Sequence, residues 1–250
     1  MGPSDEQAWS NRWRHHHPGE RGLLAGGLLL LVLLLPPLPT APLVLVVMTT
    51  AVVVGAGVPL ARFARALAIP LGFLATSLPI IALSLELSEG VHLSLSPDGA
   101  RRALEVGARA LAAMSCLVGL ALTTPMTDLI AGLRRLGVPQ PLVEIMDLMY
   151  RLLFVVVERA TNARRAQEAR LGYTTFARAP HAFGLLIGAL LTRSLAHARR
   201  LEIGLAARGF EGDLQVLTPR RALSARRLAA VSATLIVVGG VALASLGMSS

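Results

Sequence analysis

Residues 139–173 read PQPLVEIMDLMYRLLFVVVERATNARRAQEARLGY, and residues 180–210 read PHAFGLLIGALLTRSLAHARRLEIGLAARGF. Each stretch begins with a proline, which suits the first turn of a helix. Each ends with a small residue, an arginine, a glycine and an aromatic residue close together: Ala169-Arg170-Leu171-Gly172-Tyr173 in one, Ala207-Arg208-Gly209-Phe210 in the other. We therefore predict two long helices, over about 139–170 and 180–208, which finish in nearly the same way.

Apolar or small residues recur in both stretches at steps of three and four, the spacing of one face of an α-helix. In the first stretch they are Leu142, Met146, Met149, Leu153, Val156, Ala160 and Ala163. In the second they are Phe183, Ile187, Leu190, Ser194, Ala198, Leu201 and Leu205. Charged residues interrupt both stretches at short intervals, so the pattern predicts amphipathic helices rather than membrane spans. Gly172 and Gly209 are placed to terminate them.

The composition of the whole chain is that of a membrane protein. Of its 250 residues 54% are hydrophobic and 16% are charged, against about 25% charged in soluble domains. All 24 basic residues are arginine, and the formal net charge is +9. Because these arginines flank apolar runs, membrane topology explains the charge before nucleic-acid binding does. Cys116 is the single cysteine, so no disulfide can form within the chain.

Five apolar runs are predicted to cross the membrane, over about 22–35, 42–60, 66–87, 103–122 and 228–246. They divide the chain into four parts: a cytoplasmic, solvated tail over 1–21, four transmembrane helices over 22–125, a cytoplasmic helical domain over 126–227, and the fifth transmembrane helix with a short C-terminus over 228–250. In short segments, five arginines lie on the side of the tail and two on the other side, which places the N-terminus inside. The predicted fold is an all-α polytopic membrane protein.

Two features of this scheme have alternative interpretations. The run His15-His16-His17 belongs to the solvated tail or handles metal, although adjacent histidines do not converge on one point as metal ligands do. Arg109, near the start of the fourth span, reaches the membrane interface or faces a partner helix or polar cavity. The Pro-rich stretch 36–39 is expected to form a tight turn, or else a kink in one re-entrant element.

The repeated ending is the feature that ordinary packing does not require. Two amphipathic helices packed together, with glycine caps, would explain the periodicity alone. An exposed arginine at a helix end, flanked by alanine, can instead reach into a cleft and pair with acidic side chains. Two such ends indicate two equivalent grooves, as a dimeric partner would offer.

The sequence resembles the transmembrane T component of energy-coupling factor (ECF) transporters, and among these components it is most similar to the cobalt-type CbiQ family. The resemblance spans roughly residues 60–240 and rests on seven features: Pro97-Asp98-Gly99, Thr123-Thr124-Pro125, the stretch Leu133 to Pro139, Met149-Tyr150-Arg151, Glu158 and the two Arg endings.

The resemblance implies a subunit with no catalytic residues and no metal site of its own. It implies crossed coupling helices whose Ala-Arg-Gly-like ends each dock on one of two cytoplasmic ABC-type ATPases, which carry the ATP and Mg. Ala207, Arg208 and Gly209 match this motif directly. Ala169 and Arg170 match it with Leu171 where glycine is expected and Gly172 one residue later. Tyr150, Arg151 and Glu158 are the expected coupling or partner contacts.

The remaining implied partners are a CbiM-like substrate-binding membrane subunit, a small accessory membrane subunit and the lipid bilayer of a bacterial inner membrane, with no nucleic acid. The expected function is therefore energy coupling in a cobalt importer. A T component for nickel or a vitamin is the alternative, and a stand-alone channel or secondary transporter is the less favoured one. No H-E-x-x-H, G-x-S-x-G or P-loop motif occurs, so the sequence does not indicate an enzyme.

Overall fold

The computed structural model of the chain describes residues 11–86, 92–95, 97–210 and 223–247. Eight α-helices form over these residues: α1 (Pro18–Leu34), α2 (Pro37–Thr50), α3 (Leu60–Ala82), α4 (Pro97–Thr123), α5 (Met126–Arg135), α6 (Gln140–Ala169), α7 (Ala179–Ala206) and α8 (Ala225–Gly247). A 3₁₀ turn, Arg12–His15, precedes α1, and a π-helical turn, Ala51–Gly55, extends α2. The predicted class, a helical polytopic membrane protein, is confirmed.

The helices belong to two compact units, one of residues 1–132 with 220–250 and one of residues 133–219. In the first unit α4 packs against α1, α2 and α3, and α8 packs against α1 and α2. Its core consists of aliphatic side chains, with Leu28, Val32, Val44 and Val52 fully buried. Glycine allows the close approach of α4 to α2, because a Cβ on Gly119 would overlap Met48.

Proline residues determine the connection between α1 and α2. Pro36 and Pro37 follow α1, and Leu35 before them is extended, as a residue that precedes proline prefers to be. Pro37 then occupies the first turn of α2, where its missing N–H has no cost. The expected tight turn between the first two helices is therefore present.

Two predicted loops are wrong in position. Residues 61–65 belong to α3, because the turn lies earlier, at Gly57 with its left-handed φ of 74°, and α3 begins directly after Pro59. The third predicted span, 66–87, ends early, because its helix stops at Ala82. A short antiparallel pair, Leu83–Glu86 with His92–Leu95 in the register Leu83↔Leu95, follows and takes up part of the loop expected over 88–102. The helix that follows begins at Pro97 rather than near 103, since proline and then Asp98 favour a first helical turn.

The segment before α1 is part of the fold, so the prediction of a solvated tail is wrong for residues 11–21. Asn11 is buried and its amide nitrogen donates to the carbonyl groups of Leu122 and Thr123, at 3.3 and 3.0 Å. His17 caps α1, because its Nδ1 accepts from the backbone N–H of Gly19 at 3.0 Å. Residues 1–10 and the side chain of His15 lie outside the described part of the chain.

Two adjacent charged residues at the start of α1 connect three parts of the first unit. Arg21 is 3% exposed; its guanidinium donates to the carbonyl of Thr123, to that of His16 at 2.9 Å, and to Asp128 Oδ2 at 3.4 Å. Glu20 is equally buried, accepts from the backbone N–H of Ser224 at 2.9 Å and lies 3.5 Å from Arg227. The start of α1 is thereby fixed to the end of α4 and to the start of α8.

Arg109 faces a neighbouring helix, the second of its two predicted interpretations. Its guanidinium donates to the carbonyl of Leu35 at 3.3 Å, at the C-terminal end of α1. The last carbonyl groups of a helix have no partner inside it and carry its negative partial charge. Arg109 therefore closes the end of α1 from the side of α4.

Within the described part of the chain, five helical segments are long and apolar enough to cross a bilayer: Pro37–Gly55, Leu60–Ala82, Asp98–Thr123, Ala179–Ala206 and Ala225–Ser245. The number agrees with the prediction, but the set differs. The 17 residues of α1 give a length of only about 25 Å, whereas α7, expected to be merely amphipathic, qualifies. Length and composition therefore do not separate α7 from a span, and its cytoplasmic placement remains a prediction.

We expect Arg21→Ala to lower the free energy of unfolding by about 3 kcal/mol, because it leaves the half-buried Asp128 carboxylate and the buried end of α4 without their arginine. Thermal unfolding of the purified protein in detergent measures the change. Arg101→Ala is the control, since Arg101 pairs with Glu105 at 3.2 Å on an exposed surface, and we expect less than about 0.5 kcal/mol there. Equal losses in the two variants would contradict the role of Arg21.

Candidate docking tips of the helical hairpin

The second unit is a hairpin in which α6 and α7 run antiparallel. Gln167, in the last turn of α6, joins the two helices: its Nε2 donates to the carbonyl of Ala182 at 3.0 Å, and its Oε1 accepts from the hydroxyl of Tyr173 at 2.8 Å. Arg164 adds a contact to the same connection, with its guanidinium 5.8 Å from the centre of the Tyr173 ring. The connection between the helices is therefore fixed by side chains as well as by the backbone.

The first tip, residues 169–172, ends α6 in a Schellman motif. Leu171 has a left-handed φ of 59°, its N–H donates to the carbonyl of Glu168 at 3.0 Å, and the N–H of Gly172 donates to that of Gln167 at 2.9 Å. The prediction that Gly172 itself is the terminating residue is therefore wrong, because Leu171 takes the left-handed position. Position 172 favours glycine because a Cβ there would lie 3.0 Å from the carbonyl oxygen of Gln167, which is too close for an ordinary contact.

The second tip, residues 207–210, ends α7 in the same motif. Gly209 has a left-handed φ of 73°. Its N–H donates to the carbonyl of Ala206 at 3.0 Å, and the N–H of Phe210 donates to that of Leu205 at 3.1 Å. Glycine takes this conformation without steric cost, so the predicted role of Gly209 agrees with the backbone geometry.

The two tips correspond residue by residue when their left-handed positions, 171 and 209, are aligned. Arg170 directly precedes Leu171, and Arg208 directly precedes Gly209, so both arginines occupy the position before the left-handed residue, with an alanine before them. Both arginine side chains are exposed. The 28 residues of α7 separate the tips by roughly 40 Å at 1.5 Å per residue. The hairpin thus presents two like-shaped cationic ends, each able to form a bidentate pair with a carboxylate.

The predicted contact residues Tyr150, Arg151 and Glu158 lie along α6 and not at a tip. Tyr150 is half-buried, and its ring meets that of Phe154 edge to face with centroids 5.1 Å apart. Arg151 and Glu158 are exposed and, seven residues apart, share one face of the helix. Arg151 precedes Arg170 by 19 residues, or roughly 28 Å, so these residues and the first tip are separate parts of the surface.

The hairpin has an exposed apolar surface that the sequence pattern did not predict. Leu142, Met149 and Leu153, members of the predicted stripe of α6, are 49, 66 and 52% exposed, and Phe176 in the connection is 98% exposed. The stripe has the predicted spacing but α7 does not cover this part of it. Exposed apolar patches of this kind mark contact with another protein or with the membrane.

Two open clefts lie along the hairpin. One, of about 760 Å³, reaches Tyr173 beside the first tip and is lined mainly by apolar groups of α6, α7 and their connection, which include Val157, Ala160, Phe176 and Phe183. The other, of about 450 Å³, adjoins the second tip and includes Leu152, Val156, Leu205 and Phe210. Apolar concave surface therefore accompanies the arginine at each tip.

Comparison with known proteins places the chain among transport proteins. The profile of the CbiQ family, described as cobalt transport protein, matches residues 10–218. The cobalt transport protein CbiQ of Rhodobacter capsulatus is 40% identical over 220 residues, which are 88% of this chain and 89% of that protein. CbiQ of Salmonella typhimurium is 30% identical over 62% of this chain and 73% of its own length.

A putative fused cobalt transport protein CbiMQ of Methanocorpusculum labreanum is 29% identical over 70% of this chain and 31% of its own length.

The CbiQ family profile begins at residue 10, so the likeness extends further toward the N-terminus than the expected range of 60–240, and it stops before α8. The segment that contains Asn11 and Arg21 is thus part of the shared region.

We expect Gly209→Ala to destabilise the hairpin by about 1 kcal/mol, because a Cβ at a φ of 73° clashes with the backbone. Gly204→Ala is the matched control: Gly204 lies inside α7 with open space around it, and alanine there should stabilise by about 0.5 kcal/mol or more. Thermal unfolding of the two purified variants measures both signs. Stabilisation by alanine at both positions would contradict the left-handed cap.

Proposed function

The chain belongs to the CbiQ family of cobalt transport proteins, and from this premise we propose that it is the energy-coupling transmembrane subunit of an ECF-type importer for cobalt ions. In this proposal it is not an enzyme and binds no cofactor. Two copies of a cytoplasmic ABC-type ATPase hold ATP and Mg, and a separate membrane subunit holds the ion. The protein transmits the motion of the ATPases to that subunit.

The observation that carries the proposal is the pair of equivalent helix ends at Arg170 and Arg208. A dimeric ATPase offers the same groove twice, and a chain that binds both copies needs two like-shaped projections at a fixed distance. The two Schellman motifs present each arginine at the same point of the helix end, and α7 holds them roughly 40 Å apart. A guanidinium group at each end suits a groove lined by carboxylates.

Continuous helices suit the transmission of movement. When the ATPase dimer closes on ATP, the two docked tips would move relative to each other. Because α6 has 30 residues and α7 has 28, each helix is roughly 40 Å or more long and moves as a rigid rod. Displacement at a tip then becomes displacement along the hairpin, a shear or hinge motion of packed helices.

The exposed apolar surface of α6 supports a membrane partner in addition to the ATPases. The fused relative is named CbiMQ, which supports a CbiM-like substrate-binding subunit as the neighbour of this chain. Leu142, Met149 and Leu153 provide apolar area for that contact, and Tyr150, Arg151 and Glu158 provide polar contacts beside it. A small accessory membrane subunit completes the proposed assembly. Cobalt is the substrate of the whole assembly and is bound by the substrate-binding subunit.

The apolar helical segments outside the hairpin, Pro37–Gly55, Leu60–Ala82, Asp98–Thr123 and Ala225–Ser245, make the chain a multi-pass membrane protein. We place it in the bacterial inner membrane with its N-terminus and the hairpin in the cytoplasm. In this orientation α1 crosses the membrane together with α2. The arginine distribution then supports it, because short segments on the proposed inner side hold five arginines against two on the outer side.

We expect Arg170→Ala combined with Arg208→Ala to release the ATPases from the complex purified in detergent. Each charge-assisted contact is worth about 1.5–3 kcal/mol, and loss of both also removes the gain from two-point attachment. Either single variant should retain weaker binding through the other tip. The stoichiometry of ATPase that co-purifies with the chain measures the effect.

Arg193→Ala combined with Arg200→Ala is the control, since it removes the same charge from exposed positions on α7 away from both tips. It should leave ATPase binding unchanged. Full retention of ATPase by the tip variant, or equal loss in the control, would contradict docking through the tips.

We expect cells that express this chain with its cognate ATPase and substrate-binding subunits to accumulate Co²⁺ in an ATP-dependent manner, and the purified chain alone to hydrolyse no ATP. Uptake of radioactive Co²⁺, with Ni²⁺ as competitor, measures the first, and phosphate release measures the second. The tip variant should abolish uptake while the chain still reaches the membrane. Uptake by the chain without ATPases would favour a stand-alone transporter instead.

A further inference from the structure

Leu171 adopts a backbone conformation that a leucine rarely takes. Its φ of 59° lies in the left-handed region, where the Cβ crowds the following carbonyl oxygen. Among the described residues it is the one non-glycine residue with a positive φ; the others, Gly57, Gly137 and Gly209, are glycines. The second tip shows that glycine at the same position gives the same cap. Glycine or asparagine at 171 would therefore form this helix end with less strain.

The strain is not offset by packing within the hairpin. In a Schellman motif the usual apolar contact joins the residue after the left-handed position to the last turn of the helix. At the second tip those residues are Phe210 and Leu205, which line one cleft. At the first tip Gly172 has no side chain for such a contact, and Leu171 is 61% exposed. A strained residue that gains nothing inside its own chain indicates a contact outside it.

We propose that Leu171 is an apolar docking residue of the first tip, which enters a pocket on the ATPase directly beside the groove that receives Arg170. This inference rests on the proposed function, since it specifies how one of the two tips meets its partner. The left-handed turn directs the chain away from the helix axis immediately after Arg170. A partner that encloses Arg170 also meets the neighbouring Leu171, because the Cα atoms of these two residues are about 3.8 Å apart.

The charge of the first tip favours an acidic protein surface as the partner. Arg165, Arg170 and Arg178 are all exposed and lie within seven residues of Leu171 in the chain, while the carboxylate of Glu168 pairs with Arg164 at 2.8 Å. A partner surface with carboxylates around an apolar pocket matches this arrangement of cations around one leucine.

The consequence is that the two tips are alike in shape but unlike in chemistry. Two identical ATPases would offer the same pocket to both tips, and only the first tip would fill it, because Gly209 stands at the equivalent position of the second. Leu171 thus makes the first tip the stronger of the two attachments. We expect Arg170→Ala to weaken ATPase binding more than Arg208→Ala does.

The test measures the affinity of the full-length chain, in detergent, for the purified cognate ATPase. It is performed in the wild type and in the Arg208→Ala background, in which the first tip alone holds the partner. We expect Leu171→Gly to raise the melting temperature by about 2–4 °C, since it removes the strain, and yet to weaken binding roughly tenfold or more, as loss of a buried leucine side chain does.

Leu171→Asn and Leu171→Met separate the backbone from the side chain. Asparagine tolerates the left-handed conformation but is polar, so it should weaken binding as glycine does. Methionine keeps the apolar contact and should retain binding within about threefold. Leu136→Gly is the control, because Leu136 is 83% exposed before the start of α6, at the opposite end of that helix from the first tip, and its loss should leave the affinity unchanged.

Wild-type affinity of Leu171→Gly and Leu171→Asn, beside clear weakening by Arg170→Ala, would overturn this inference and leave the proposed function standing. Loss of binding in Leu136→Gly equal to that in Leu171→Gly would also overturn it. Absence of binding by the wild type would overturn the proposed function and the role of Leu171 with it.

Discussion

The last carbonyl groups of a helix have no partner within that helix, and the architecture of this protein depends on how they are satisfied. In the first unit, side chains from elsewhere in the fold do so. Arg109 reaches the end of α1 at Leu35, while Arg21 and Asn11 reach the end of α4 at Thr123. Each of these contacts fixes the end of one helix to another part of the unit, so the polar groups that close the helices also hold the apolar helices in position.

The hairpin satisfies the same requirement with its own backbone. Because residues 171 and 209 are left-handed, the backbone N–H groups at the end of each helix donate to the last carbonyl groups of that helix. No arginine side chain is needed to satisfy these carbonyl groups. Arg170 and Arg208 therefore remain exposed, with their guanidinium groups available to a partner. The contrast between the units has a physical basis. Arginines that donate to the last carbonyl groups of a helix lie within the packed unit, whereas arginines at helix ends satisfied by the backbone project outward. This difference supports the proposed division between a membrane-embedded part and a docking part.

Much of the architecture followed from local patterns. The length of the apolar runs predicted a helical membrane protein, the three–four spacing predicted α6 and α7 to within a residue or two, and the repeated endings located both tips. Errors arose where one residue type has several local uses. Gly172 looked like a left-handed cap, yet glycine there relieves crowding against Gln167, and the adjacent leucine takes the strained conformation. The polar segment over residues 11–21 looked solvated, because its partners at Thr123 and Ser224 are more than 100 residues away in the chain.

The sequence by itself determined the helical membrane class, the two long helices and the arginine at the end of each, since these depend on periodicity and composition over neighbouring residues. Tertiary structure alone decided that Arg21 and Glu20 would be buried, that Arg109 would close α1, and that the predicted stripe of α6 would remain partly uncovered. It also decided that Leu171 and Gly209 are equivalent. These outcomes depend on which distant backbone groups need a partner and which surfaces find one, and such pairings become defined only when the helices pack.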